Sequence, residues 1–412
     1  MTKRILSFKE TISFIQFLYS TIGLFLMRNI RETGLRKNLI TLWLFLSLLC
    51  GITTTIDLFL YIVLKPRNAI SIWEILTQLF IGMYFISAML KTVVVVFHKD
   101  KIEKLLKWFD DNWPDARDES ENEDIVEGYM RNNTWWMSHY VYISFASYIT
   151  VNLSPVLTMA IRYLSTGNLK FLVPFNTWLQ YSHPGSFEYP FVYTYLIYGS
   201  HVASASSICF DTMFCIIICH ICMHFKVLQE KVITSVVPEA NSSPEICEKI
   251  LKECIVKQQK LIELTNVLGS LFNEVIFFNF TASSFNMCVD GFLFVMQPGL
   301  GKIRFVMMFL TLMSQIFILC WYGQELINNS LCISDAAYNC LWYESTQKFR
   351  KMILHIIHNS QKPQKIIAVK FWEVSLKSFS KLIQASWSYF ALLNTVFGDW
   401  SFLAPAEGGL LT

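Results

Sequence analysis

The amino-acid sequence predicts an all-α, polytopic membrane protein with seven transmembrane helices, an inside N-terminus and an outside C-terminus. The chain of 412 residues is 53% hydrophobic and only 16% charged, which leaves too few polar side chains to cover a water-facing surface. Its apolar residues come in blocks near or above the roughly 18 to 20 residues that a helix needs to cross about 30 Å of hydrocarbon. The distribution of Lys and Arg then sets the orientation.

Seven apolar blocks are the predicted spans. They cover residues 39–64, 70–97, 135–161, 191–225, 261–296, 303–325 and 378–396. Every backbone N–H and C=O in lipid must be paired internally, so the Gly and Thr residues inside these blocks are expected to lie in helices rather than loops. With the N-terminus inside, 26 of the 34 Lys and Arg residues fall on cytoplasmic segments, five on outer segments and three within spans. The positive-inside rule therefore places the C-terminus outside.

This topology divides the chain into five parts. Residues 1–38 form a cytoplasmic N-terminal segment, 39–325 a six-helix transmembrane bundle, 326–377 a cytoplasmic region, 378–397 the last helix and 398–412 an extracellular tail. The cytoplasmic region is too polar to cross a bilayer, yet it carries Phe349, Ile353 and Ile356 at helical spacing, which predicts anchor helices. The outer segment 162–190 is long and rich in aromatic residues and Pro, which suggests a lid.

The last span has a small or polar face. Its members follow spacings of three and four residues: Ser378, Lys381, Ala385, Ser388, Leu392 and Thr395. A single helix cannot enclose water, so this stripe implies partner helices. If several copies met around an axis, Ser388 and Thr395 would line an aqueous path, and a ring of Leu392 side chains would close it by dewetting. The alternative is that small and polar residues let this helix pack closely inside the bundle.

Ionisable residues also occur inside the predicted spans, and the examples are Asp57, Glu74, Lys91, Asp211, Glu274 and Asp290. Because charge in a bilayer is costly, we expect them to pair or to face water-filled cavities. A cluster of Cys and His in the fourth span has the composition of a metal site: Cys215, Cys219, His220, Cys222 and His224. His220 points about 100° away from Cys219 on a helix, and a closed tetrahedral site needs ligands from more than one element, so packing is favoured.

The sequence carries no pattern that indicates an enzyme or a nucleic-acid-binding protein. Its Ser, His and Asp residues follow no spacing that indicates nucleophilic catalysis, and no phosphate-binding or dinucleotide-binding loop is found. The formal net charge of +3 is not concentrated in a basic stripe, as nucleic-acid binding would require. We therefore expect no catalytic residues, no cofactor, no metal and no nucleic-acid partner.

A set of residues in the C-terminal third carries a family resemblance. The set comprises Ala337-Tyr338, Trp342-Tyr343, Leu354, Ser360-Gln361-Lys362-Pro363, Phe379 and the tract of residues 385–393, whose sequence is ASWSYFALL. With these residues the chain resembles the insect odorant receptor family of ligand-gated cation channels. The inside N-terminus, the long second outer loop and the carboxylate of Asp211 in the fourth span extend the resemblance to the whole topology.

The resemblance implies a tetrameric, non-selective cation channel in the plasma membrane of olfactory sensory neurons. The last helices would surround the pore, with the gate at Leu392, and residues 326–377 would anchor the subunits to one another. The family's co-receptor has a longer segment between spans four and five than residues 226–260 here, and a Val-rich end to its last helix. The chain therefore resembles an odorant-tuned subunit, which would pair with the co-receptor in a hetero-oligomer.

The resemblance also implies an odorant site in the outer half of the bundle, between spans two to five and with help from span six. The candidate residues there are Met83, Tyr84, Ser147, Tyr148, Tyr198, Val202, Phe280 and Ser284. Aromatic and hydroxyl linings can bind one polar atom of a small volatile molecule while the rest of it is buried. Ordinary helix packing is the alternative role of each of these residues.

Three other classes of membrane protein match the sequence less well. A G-protein-coupled chemoreceptor also has seven helices, but it needs its N-terminus outside, against the charge bias. Gustatory-receptor-type channels usually carry a Thr-Tyr start and a Gln-Phe end in the last helix, and neither occurs in this sequence. A transporter is disfavoured because no inverted halves or paired broken spans are evident.

Overall fold

A computed structural model describes residues 8–26, 34–66, 70–113, 120–169, 171–179, 187–235, 244–296, 301–369 and 372–397. The predicted tail, residues 398–412, lies outside the described residues, as do parts of the predicted loops and of the N-terminal segment. The helices are α1 (Phe8–Thr21), α2 (Gly34–Leu64), α3 (Ile72–Phe97), α4 (Lys99–Asp111), α5 (Ser120–Thr166), α6 (Tyr189–Thr234), α7 (Pro244–Met296), α8 (Gly301–Asn339), α9 (Gln347–Ser360) and α10 (Leu376–Phe397). A 3₁₀ turn (Trp342–Glu344) and two short strands, β1 (Ile367–Ala368) and β2 (Trp372–Glu373), complete these elements.

The predicted all-α membrane fold is confirmed, and each of the seven predicted spans falls on a helix. Six of the described helices, α2, α3, α5, α6, α7 and α8, are long and apolar enough to cross a membrane. The seventh predicted span is α10, whose 22 residues cover about 33 Å at 1.5 Å per residue. Its Lys381 and its hydroxyl-bearing residues lower its hydropathy below that of the other six. We call the end of the bundle where α3, α6 and α8 begin the outer end, after the predicted topology.

Helix α6 occupies the centre of the bundle. Within residues 202–225 every side chain except Ser204 is buried, because this stretch is apolar around its whole circumference and finds neighbours on all sides. Helix α2 lies at the periphery, where Trp43, Phe45 and Leu46 are exposed. Exposed apolar side chains of this kind suit contact with lipid tails.

Helix α1, which belongs to the predicted cytoplasmic segment of residues 1–38, packs against α6. Lys9 at its start is 3.2 Å from Asp110 of α4, but its end reaches the middle of α6, where Thr21 Oγ1 is 3.0 Å from His201 Nε2. Ile15 and Tyr19 between these points are buried. The helix therefore lies along the predicted fourth span instead of standing apart in the cytoplasm.

The cytoplasmic ends of the helices extend well beyond the predicted spans. Helix α7 has 53 residues, about 80 Å at 1.5 Å per residue, and its first half packs against α9. There Gln258 Nε2 donates to Ser360 Oγ at 2.7 Å, and Lys348 Nζ donates to Glu248 at 2.5 Å. The predicted anchor helices are thus present as the end of α8 together with α9.

A small antiparallel hairpin joins the anchor to α10, and the sequence analysis did not predict it. Strands β1 and β2 pair Ile367 with Glu373 and Ala368 with Trp372. The residue after β2, Val374, packs closely against α8. A Cβ on Gly323 of α8 would overlap the backbone oxygen of Val374. Only glycine fits at this crossing.

Candidate functional site

An internal cavity lies between α3, α5, α6 and α8, in the half of the bundle toward the outer end. Its volume is about 80 Å³, measured as the space open to the centre of a water molecule. Each of these helices contributes residues mostly three or four positions apart, which share one face of a helix. The lining residues are Phe80, Ile81, Tyr84, Phe85, Tyr140, Ser144, Ser147, Tyr148, Val151, Asn152, Phe175, Ser200, Ser204, Ser207, Ile208, Asn286, Arg304, Met308, Thr311, Leu312 and Gln315.

Three of the eight candidate ligand residues line this cavity: Tyr84, Ser147 and Tyr148. Tyr84 OH lies 3.4 Å from Ser204 Oγ across the space between α3 and α6. The three side chains and their neighbours give the cavity aromatic walls interrupted by hydroxyl groups. Such a lining suits a mainly apolar molecule with one or two polar atoms.

The other five candidates do not line it. Tyr198 and Val202 lie on the side of α6 that meets α2, where Tyr198 OH is 2.8 Å from Ser47 Oγ and Val202 is buried beside Gly51. Phe280 and Ser284 line a crevice between α7 and α10 instead. Met83 is half-buried and is absent from the lining of the cavity.

Sequence reasoning also missed contributors to the cavity. Phe175 belongs to the predicted lid segment and is buried against Phe85, with ring centroids 5.6 Å apart. The aromatic content of that segment was the signal for it. Arg304, Thr311 and Gln315 enter from α8; the charge of Arg304 inside the predicted sixth span was a signal for it, whereas nothing in the local sequence marked Thr311 or Gln315.

A buried polar network forms one wall of the cavity and supplies the partner that Asp211 needs. Lys91 Nζ donates to both carboxylate oxygens of Asp211, at 2.9 and 3.0 Å, and to Ser207 Oγ at 3.0 Å. Tyr140 and Gln315 also donate to Asp211 Oδ2, at 2.9 and 2.7 Å. Tyr140, Ser207 and Gln315 are themselves cavity residues. A charge pair with this many donors satisfies the requirement that buried charges be partnered.

Helix α10 presents part of its predicted stripe to the outside of the chain. Lys381, Ser388, Leu392 and Thr395 are exposed, with Leu392 at 58%, whereas Ser378 is buried against the bundle. The hydroxyls of Ser388 and Thr395 donate to carbonyls one turn earlier in the same helix, at 2.9 Å in both cases. A face of this composition is left open to a further chain.

The Cys and His cluster of α6 packs against α4. The rings of His220 and His224 lie 5.7 and 5.9 Å from Phe109, and Trp108 lies 5.4 Å from His224. These contacts, together with complete burial of both imidazoles, account for the cluster as aromatic packing. Among the described residues no group of His, Cys, Asp and Glu is arranged to hold a metal ion.

A match to a known protein family identifies the family of this chain. A sequence model of the family described as the 7tm odorant receptor matches residues 71–387. The chain belongs to the odorant receptor family. It is therefore a multi-pass membrane receptor of sensory neurons, and not an enzyme.

Relatives of this odorant receptor occur in insects. It is 23% identical to putative odorant receptor 92a of Drosophila melanogaster over 397 residues, which cover 95% of this chain and 96% of that one. It is 26% identical to putative odorant receptor 85d of the same species over 227 residues, and this match spans 55% of each protein. The chain thus aligns with about half the length of some relatives and with nearly all of another.

A solved insect receptor has the same fold. The olfactory receptor OR5 of Machilis hrabei, in complex with eugenol, superimposes with a TM-score of 0.81. The match covers 94% of this chain and 98% of that one, at 17% sequence identity. At this identity the likeness concerns the fold: seven membrane helices with the arrangement described above.

Proposed function

We propose that this odorant receptor is the odorant-binding subunit of a ligand-gated, non-selective cation channel. It would assemble with the odorant receptor co-receptor as a hetero-oligomer, most simply a tetramer, in the plasma membrane of olfactory sensory neurons. A small volatile organic molecule binds in the internal cavity, and binding opens a gate formed by Leu392 in the last helix. The observation that carries the proposal is an enclosed, mixed aromatic and hydroxyl cavity in a chain whose last helix leaves a small and polar face uncovered.

Burial of apolar surface supplies the binding energy. A volatile molecule that buries some 250 Å² gains roughly 6 kcal/mol at about 25 cal/mol/Å², before the entropic costs of association. Aromatic rings such as Tyr84, Phe85 and Phe175 offer that surface, and neighbouring hydroxyls such as Ser147 select the polar atom. Shape and one hydrogen bond together would set the tuning of the receptor.

Helices α7 and α8 both connect the cavity to α10: Asn286 of α7 lines the cavity, and Ser284 of the same helix lies 3.2 Å from Ser386 of α10. Gln315 lines the cavity and holds Asp211, while two residues later Phe317 packs against Phe379 of α10, with ring centroids 5.5 Å apart. A ligand that fits the open arrangement of α8 better than the closed one shifts the population toward open channels. A difference of about 1.4 kcal/mol changes the ratio tenfold.

Electrical recording tests the channel proposal. The full chain is expressed with and without the co-receptor, and odorants are applied while G-protein signalling is blocked. We expect a prompt cation current that needs both subunits and survives the block. A response that disappears with the block would instead identify a G-protein-coupled chemoreceptor.

Substitution of Leu392 tests the gate separately. Leu392→Ser makes the proposed constriction wettable, so a current without ligand is expected. Leu393→Ser is the matched control, because both residues border the crevice beside α7 but Leu393 is half-buried whereas Leu392 is 58% exposed, and it should leave the channel closed at rest. A silent baseline for Leu392→Ser, with normal odorant responses, would place the gate elsewhere and leave the channel proposal intact.

A further inference from the structure

Arg304 occupies a distinctive position at the outer end of α8. It lines the internal cavity, and it also lines a larger crevice that α3, α5 and the segment around Val173 form at the outer end. Of the described residues it is the one shared by both linings. A molecule that passes from this outer crevice to the cavity therefore meets the Arg304 side chain.

Two donor atoms of Arg304 have nothing to bond to. Its Nε and Nη2 atoms are buried and lack a hydrogen-bond partner among the residues that the structure describes. A guanidinium has five N–H donors and no acceptor, and a buried donor left without a partner is energetically unfavourable. Among the lining residues of the cavity it is the one cation. The site therefore favours a bound molecule that brings an acceptor.

A second buried ionisable group lies near Arg304 but outside the cavity. Asp290 of α7 is fully buried and interacts electrostatically with Arg304. Neither carboxylate oxygen of Asp290 has a hydrogen-bond partner among the described residues, and Asp290 lines the crevice between α7, α8 and α10 rather than the cavity. Moving a full negative charge into this mostly apolar cavity costs more than moving a neutral acceptor atom there, so the cavity favours a neutral molecule with an acceptor.

Asn286 supplies a second polar contact. It lies one helical turn from Asp290 on the same face of α7, is 2% exposed, and lines the cavity with its Oδ1 atom unpaired among the described residues. Its amide can accept or, after a half turn, donate a hydrogen bond. Outside these groups most of the exposed cavity surface is apolar, as Phe80, Ile208 and Met308 illustrate.

We propose that Arg304 recognises the ligand through a neutral carbonyl oxygen, and that the receptor is tuned to aldehydes, ketones or esters. The inference rests on the proposed role of the cavity as the odorant site. The carbonyl oxygen accepts from Nε or Nη2 of Arg304, and the hydrocarbon part fills the apolar remainder of the cavity. Asp290 acts as a positioning residue that keeps the site selective for neutral ligands over organic acids.

A matched panel of ligands tests the inference. The probes are a ketone, an aldehyde, a methyl ester, a carboxylic acid and the alkane at each chain length from four to ten carbons. Two readouts are taken with the full chain: odorant-evoked current with the co-receptor, and ligand-induced thermal stabilisation of the purified receptor in lipid nanodiscs. For the receptor with Arg304, carbonyl compounds should act at concentrations roughly 10- to 100-fold lower than the alkane, as expected for a hydrogen bond to a charged donor.

Three variants connect that preference to the two side chains. Arg304→Met should reduce the carbonyl preference to less than about threefold, whereas Arg304→Lys should keep part of it. Lys302→Met is the matched control, because it removes a cation two positions away that stacks on Phe294 and does not line the cavity. Asp290→Asn uncovers the charge of Arg304, so sensitivity to the carboxylic acid should rise at least tenfold. This last variant decides the question even if Arg304→Met fails to fold.

The outcomes separate the inference from the channel proposal. Stabilisation by carbonyl compounds without any current supports the inference and contradicts the channel. Currents that ignore the acceptor atom, a carboxylic acid preferred by the unchanged receptor, or a panel without effect in both readouts would each overturn the inference. Equal loss of stability in Arg304→Met and Asp290→Asn, with ligand preference unchanged, would show that the two residues stabilise the fold and do not recognise the ligand.

Discussion

Asp211 is the shared acceptor at the centre of the buried polar network. Its carboxylate accepts hydrogen bonds from Lys91, Tyr140 and Gln315, and these donors come from three different helices. Asp211→Asn removes the charge and leaves the ammonium of Lys91 buried without its counter-ion. We expect a loss of about 3 to 5 kcal/mol in the free energy of unfolding, visible as reduced thermal stability and reduced surface expression.

The double variant Lys91→Met/Asp211→Asn is the control for this prediction. Because it removes both charges, it should recover much of the stability that the single variant loses. If instead the losses in the free energy of unfolding of the two single variants simply add, then Lys91 and Asp211 are not energetically coupled. The buried ion pair would then contribute little to stability.

Ligand tuning is expected to separate two aromatic residues that sequence analysis placed in the same site. Tyr84 lines the cavity, so Tyr84→Ala should change the concentration of odorant needed for a half-maximal response by about tenfold for some ligands. Phe280 is buried at the crevice between α7 and α10. Phe280→Ala should cost roughly 3 to 5 kcal/mol in stability and leave the order of ligand preference unchanged. Dose–response curves with one odorant panel, together with thermal unfolding, check both statements.

The sequence predicts which turns of a helix lie near the cavity better than it predicts which face of the helix points into it. Tyr84 and Met83 are neighbours separated by about 100° around α3, and only Tyr84 lines the cavity. On α6 the lining residues include Ser200 and Ser204, whereas the predicted residues Tyr198 and Val202 lie toward α2. Apolar residues surround the whole of such a helix, so periodicity gives no phase, and the orientation depends on contacts with helices far away in the chain.

At the scale of elements, the crossing of α8 and the hairpin sets a sharp steric limit. Gly323→Ala adds a methyl group where the Val374 backbone oxygen already lies, so the anchor must shift away from α8. Overpacking of this kind costs about 1 to 3 kcal/mol, and the displacement should also weaken odorant-evoked current because α10 follows directly. Thermal unfolding and current recordings measure the two effects.

Gly269→Ala is the matched control for that substitution. Gly269 lies within α7, and an added Cβ there meets nothing within 4 Å. Alanine favours helix by roughly 0.5 to 1 kcal/mol over glycine, so stability should stay equal or rise. Equal behaviour of the two alanine variants would contradict the close packing described at Gly323.

The long helices are predictable and the small elements are not, for a physical reason. Apolar blocks reveal α2, α3 and α5 to α8 because lipid imposes a minimum length on every span. Helix α1 has only a narrow apolar stripe, which includes Ile15 and Tyr19, and that stripe becomes meaningful only beside α6. The pairing of β1 with β2 involves two residues from each strand, too few to give a periodic signal.

For the whole molecule, the charge bias fixes an orientation that labels can test. An epitope fused to the N-terminus should bind antibody only after cells are made permeable, whereas one fused to the C-terminus should bind on intact cells. We expect antibody binding to the two epitopes to differ almost completely, because this topology places 26 of the 34 Lys and Arg residues on the cytoplasmic side. Antibody binding to the N-terminal epitope on intact cells would reverse the topology and remove the main argument against a G-protein-coupled receptor.

The docking of α1 on α6 has a consequence for how a cell makes this protein. Thr21 and His201 are 180 positions apart, and translation at about 5 to 20 residues per second leaves roughly 10 to 40 s between their emergence from the ribosome. During that interval Ile15 and Tyr19 have no partner, and their apolar stripe is available to chaperones or to unwanted association. Helix α1 therefore cannot complete its packing until α6 has been made, so correct assembly of the receptor requires that its apolar stripe be protected during that interval.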